Sequence, residues 1–207
     1  MHRNNLRRTI LLASLLLALT ATGWAQVPSS GNVFFGYSYF NTNLFGNRTS
    51  ANGWEASFEG KIVPFLGMVA DFDGHYSGTV NFPESDCSGI ACPVGPANGG
   101  IPQPGGYLSA NMLEYDFLFG PRVSIPAGRF RPFGEFLIGG AHMNAKATGT
   151  NSSFGTDNSF ATAVGGGLDF RIIRPIAWRL QGDYIHTNLF GTGENNVRIS
   201  TGIVLRF

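Results

Sequence analysis

Three of the four histidines, two cysteines and a long alternating series of acids and arginines are the side chains in this sequence with chemistry to offer. His75, His142 and His186 could each act as a general base if a serine and an orienting acid stood beside it. Their spacing brings no single serine to the three of them, so they read as polar residues near the ends of the elements that carry them. Cys87 and Cys92 lie between Asp86 and a Pro/Gly-rich run, a spacing suited to a disulfide that closes a small loop in an oxidising compartment. A metal site there would need two further ligands, and no histidine lies nearby. Asn47-Arg-Thr49 and Asn151-Ser-Ser153 match the glycosylation pattern but read as ordinary loop residues. Gly165-Gly-Gly167 lacks the strand-to-helix setting of a phosphate loop and is expected to make room for large neighbours or to bend a strand. No metal or other cofactor is expected.

The charges say more. Glu55, Glu59, Asp71, Asp73, Glu114, Asp116, Glu135, Asp169 and Asp183, with Arg122, Arg131, Arg171, Arg179, Arg198 and Arg206, alternate with apolar residues. A period of two is the period of a strand. Val197, Ile199, Thr201, Ile203, Leu205 and Phe207 share one face, opposite Arg198, Ser200, Gly202, Val204 and Arg206. Trp178, Leu180 and Tyr184 likewise oppose Arg179, Gln181 and Asp183, and Tyr115, Phe117 and Phe119 oppose Glu114, Asp116 and Arg122. Leu168 and Phe170 oppose Asp169 and Arg171, while Trp54 and Phe58 oppose Glu55, Ser57 and Glu59. Met68–Tyr76 and Arg129–His142 follow the rule with more noise, Phe133 and Leu137 departing from it. Val33–Phe40 is apolar on both sides, which leaves its facing open. That makes eight strands.

Their connections alternate in length. Polar stretches over Asn41–Asn52, Ser77–Gly106, Asn144–Asn158 and Asn188–Asn195 alternate with tight turns at Pro64, Pro126 and Pro175. Long connections on one side and short ones on the other are the asymmetry of outer-membrane barrels. An even strand count puts both ends of the sheet on the short-turn side.

Composition decides which face points inward. Hydrophobic residues make up 43% of the 207 and charged residues 13%, with 29 Gly, 18 Phe and only two lysines, Lys61 and Lys146. Such a chain is neither a basic nucleic-acid binder nor a helical bundle. A soluble lipocalin-type barrel would have to hide all this aromatic surface in a small cavity, whereas a membrane barrel turns it to lipid. Nine acids and six arginines then face a lumen where they can largely pair. Pairing offsets much of the several kcal/mol that an isolated buried ion costs. Arginine suits the task because its planar fork binds carboxylates bidentately. Eight strands enclose a space that side chains nearly fill, so the lumen is expected to be plugged.

The front of the chain is an address. Arg3, Arg7 and Arg8 precede the apolar run Ile10–Leu19, and Gly23-Trp24-Ala25 offers small residues for cleavage before Gln26. Residues 1–25 are expected to be a signal peptide for the general secretion route, leaving residues 26–207 as one barrel domain with eleven basic and thirteen acidic residues.

Several segments together resemble the OmpA/OmpX-like family of small outer-membrane β-barrels. They are Gly36-Tyr-Ser-Tyr39, Asp116-Phe-Leu-Phe-Gly-Pro-Arg122, Pro132-Phe-Gly-Glu135 running into Gly139-Gly140, Gly165-Gly-Gly-Leu-Asp-Phe170 and Val204-Leu-Arg-Phe207. The resemblance implies an all-β, eight-stranded antiparallel up-and-down transmembrane barrel in the cell envelope of a Gram-negative bacterium. It also implies outer-membrane lipid and lipopolysaccharide as surroundings, and an aromatic last residue, Phe207, read by the barrel-assembly machinery. Nucleic acid is not an expected partner, and the chain is expected to be a monomer. The family has no shared activity. The leading expectation is a non-enzymatic structural or surface-interaction role. The alternatives are a narrow porin-like channel for small solutes and a lipid-modifying enzyme.

Overall fold

The structure, a computed structural model, describes residues 30–44, 47–83, 107–147, 153–189 and 193–207. The alternating segments become eight strands: β1 Gly31–Leu44, β2 Asn47–Val63, β3 Leu66–Pro83, β4 Tyr107–Ser124, β5 Phe130–Ala147, β6 Ser153–Arg171, β7 Ile176–Thr187 and β8 Glu194–Arg206. Each pairs antiparallel with its neighbours in chain order, and β1 pairs with β8 to close the barrel. At that seam Gly36 stands opposite Gly202 and Ser38 opposite Ser200. Gly31 and Phe207 exchange backbone hydrogen bonds of 3.0 and 3.1 Å. Closure leaves no sheet edge with unpaired backbone groups.

The strands contain 12 to 19 residues, more than the roughly 9–11 that a tilted strand needs to cross a bilayer. The extra length lies in the polar stretches expected to be loops. β1 runs on to Leu44 and β2 starts at Asn47; β5 runs on to Ala147 and β6 starts at Ser153. There both faces are polar, so period two vanishes from the sequence while the ladder continues: Tyr39 and Ser50 share a hydrogen bond of 2.7 Å, and Arg48 donates to Asn41. The short turns at Pro64, Pro126 and Pro175 fall between strands, as expected.

The large apolar parity points outward. Phe35, Phe58, Phe72, Phe117, Phe136, Trp178, Tyr184 and Ile199 are all exposed, and Phe72 and Phe117 touch with ring centroids 4.6 Å apart. β1 resolves the facing left open: Val33, Phe35 and Tyr37 point out, Phe34 and Phe40 point in. Phe133 and Leu137 also point in. Leu118, Leu137, Ala141, Met143, Ala161 and Ala163 on β4, β5 and β6 belong to one buried apolar cluster that also takes in Phe40, Ala51, Val69 and Ile185, while Ser38, Glu55, Asp71, Asp73 and Arg198 are buried on β8, β1, β2 and β3.

Candidate functional site

The charged parity meets inside the barrel in three storeys. Nearest the turns, Arg122 on β4 donates from Nε to Oε2 of Glu135 on β5 at 2.7 Å and lies 3.4 Å from Glu59 on β2. Arg179 on β7 clasps Asp169 on β6 through two hydrogen bonds, of 2.7 and 3.2 Å. Asn32 joins these clusters, accepting from Arg179 at 3.3 Å and donating to Glu59 at 2.6 Å. The guanidinium groups of Arg122 and Arg179 both stack on Phe133, 4.5 and 4.6 Å from its centroid. Phe133 therefore breaks the alternation because the lumen uses it: an aromatic face covers two cations whose edges are occupied by carboxylates.

Room for these groups comes from the glycine run. A Cβ on Gly165 would lie 2.7 Å from Cγ of Asp183, and one on Gly167 would lie 2.8 Å from the ring of Phe133.

Arg198 forms the middle storey. It has no exposed surface and lies within ion-pair distance of four carboxylates: Asp183 beside it on β7, at 2.9 Å; Glu55 on β2, at 3.4 Å; and Asp71, at 2.8 Å, with Asp73, both on β3. Gln181 donates to Glu55 and Asp183, at 3.1 and 2.9 Å. One guanidinium thus ties β8 to β7, β2 and β3. Charge-assisted bonds of this kind are about twice as strong as neutral ones.

The third storey, toward the long connections, is short of cations. Glu114, Asp116 and Glu194 are buried with no Lys or Arg within 4 Å among the described residues. Here the structure departs from the expectation for the histidines. His142 and His186 are indeed outer polar residues, bonded to Asn158 and Asn195 at 2.7 and 2.8 Å. His75 is buried in the lumen, with Nε2 2.8 Å from Oγ of Ser38, Nδ1 3.1 Å from Asp73 and its ring stacked on Phe40. The shared parity of Asp73 and His75 was the available signal; the serine comes from a different strand, which spacing cannot reveal. The order serine, imidazole, carboxylate is that of a nucleophile and its base. Ser38 has no exposed surface and also accepts from Ser200 at 3.0 Å, so no substrate carbon can reach its oxygen.

The remaining residues lie at the turn-side rim or outside the description. Arg206 reaches Asp169 at 3.1 Å. Arg131 and Arg171 are half-exposed, with no carboxylate within 4 Å among the described residues. Lys61, not counted among the lumen charges in the sequence reading, pairs with Glu59 and donates to Ser124 at 2.7 Å. Phe207 points outward against Phe58, with ring centroids 6.0 Å apart. Cys87 and Cys92 lie outside the described residues, as do residues 1–25.

No protein-family model matches the chain, and no curated protein matches it in sequence. Solved structures do. Neisserial surface protein A superposes with a TM-score of 0.61 at 9% identity, over 86% of this chain and 99% of that one. Ail, the attachment invasion locus protein of Yersinia pestis, superposes with a TM-score of 0.55 at 17% identity, over 86% and 98%. The chain shares the fold of these small eight-stranded outer-membrane barrels. In an OmpA/OmpX-like barrel the sheet is inside out relative to a soluble protein, and the exposed rings and buried arginines described above have that arrangement.

Proposed function

We propose that residues 26–207 form a monomeric, non-enzymatic barrel of the outer membrane. It gives structure to the envelope or meets partners through its long connections, and its lumen is closed by the charge network. The observation that carries this reading is Arg198, held by four carboxylates at the barrel centre without exposed surface. An inert scaffold needs such a fixed plug; a diffusion pore does not. Ail, crystallised with the heparin analogue sucrose octasulfate, is a precedent for surface interaction on this fold. Removal of residues 1–25 after general secretion, delivery to the assembly machinery through Phe207, a lipopolysaccharide surround and a Cys87–Cys92 disulfide complete the proposal.

The test is a planar-bilayer recording of the full mature chain beside a gel run with and without boiling. Folded mobility without conductance is the expected result; steady single-channel steps replace the plug with the channel reading. The channel has one observation in its favour, the buried Glu114, Asp116 and Glu194, polar groups without a cation partner among the described residues that could line a water path from the loop side. The buried Ser38 argues against a lipid-modifying enzyme.

A further inference from the structure

At the turn-side mouth of the barrel a cavity of about 390 Å3 is lined by Lys61 from β2, Arg131 from β5 and Arg206 from β8. Ser30, Gly31 and Phe207 complete its wall, and Ile62 and Val63 form an apolar lip. No carboxylate side chain lines it. Glu59, which holds Lys61, sits two residues deeper along β2, and Asp169, which holds Arg206, stands opposite Arg131 in the β5–β6 register.

Both acids are already shared. Glu59 also accepts from Asn32 and faces Arg122, and Asp169 is clasped by Arg179. Arg131 keeps no carboxylate within 4 Å among the described residues, and Nε of Arg206 is buried without a hydrogen-bond partner. Three cations from separate strands thus converge on a space much larger than the roughly 30 Å3 of one water, and their donors outnumber the acceptors within reach. Confined cations of one sign draw in an oxyanion, and guanidinium forks match its geometry.

We propose that the turn-side mouth binds a phosphate-class oxyanion between Lys61, Arg131 and Arg206. The phosphate group is either free in the adjoining water or the headgroup of a lipid whose chains lie over Ile62, Val63 and Phe207. The site needs only the closed barrel and no particular surface role.

The full mature chain in neutral maltoside micelles is titrated with inorganic phosphate and followed by phosphorus NMR. In parallel, nanodiscs of phosphatidylcholine doped with phosphatidylglycerol are examined by native mass spectrometry for retained anionic lipid. Arg131→Gln is the test variant, Arg131→Ser its substitute if the first lacks folded mobility on the gel, and Arg171→Gln the control outside the cavity wall. Saturable binding that weakens about tenfold or more in the Arg131 variant, the usual effect of losing one charge-assisted bond, and is unchanged in Arg171→Gln is the expected result. Response to phosphate alone identifies the free ion, and selective retention of phosphatidylglycerol identifies the headgroup. If neither probe binds saturably, or if Arg131 variants bind as tightly as the wild type, the proposal is overturned.

Discussion

Arg198 is the residue on which most of the lumen depends. Removing its guanidinium leaves the buried Glu55, Asp71, Asp73 and Asp183 facing one another without their shared cation. Breaking a buried ion pair typically costs about 3–5 kcal/mol, so Arg198→Ala is expected to lower stability by at least that much, measured by urea unfolding in micelles. Leu205→Arg, on the outer face near the turns, is the comparison and should cost only about 0–1 kcal/mol, as lipid-facing arginines do near an interface. A lumen variant that unfolds at the same urea concentration as Leu205→Arg would show that the charges face water. Gly167→Ala probes the room made for Phe133. A methyl group there would meet the main chain of β7 at Leu180 as well as the ring, and overpacking of this kind costs about 1–3 kcal/mol. The inward facing of Arg198 was legible from parity together with composition. That of Phe133 was not, because its partners Arg122 and Arg179 come from β4 and β7, and contacts between strands leave no trace in local alternation.

At the level of the strand, period two revealed eight elements wherever one face met lipid and the other the lumen. It failed at the outer ends, where Asn41, Thr42, Thr49 and Ser50 continue the ladder with polar residues on both faces. β1 was ambiguous for the opposite reason: Phe34 and Phe40 supply apolar surface to a lumen that elsewhere on that wall is charged. The alternation of connection lengths has a direct consequence for orientation. With long connections outward, protease added to intact cells should cut between Pro83 and Tyr107 and spare the turns at Pro126 and Pro175. Cleavage at the proline turns in sealed cells reverses the assignment. Phe207 belongs to this scale as well, since its main chain continues the β1–β8 seam through Gly31. Deleting it should slow insertion by the assembly machinery far more than it shifts the unfolding midpoint of barrels already folded. Equal insertion rates in a reconstituted assay would remove its role as a recognition element.

As a whole the molecule is a closed sheet with no edge, so detergent has no strand to peel away. The unboiled protein should migrate at a different apparent mass from the boiled one, and loss of that difference in Arg198→Ala would report collapse of the barrel. The distribution of charge along the barrel carries a further consequence. Lys61, Arg131, Arg171 and Arg206 gather at the turn end, while farther along the lumen Arg198 alone faces Glu55, Asp71, Asp73 and Asp183. The interior is therefore a fixed electric dipole standing across the membrane. An ion crossing a widened variant would meet attraction at one end and repulsion at the other, so its current should depend on the sign of the applied voltage, and the barrel would act as a diode.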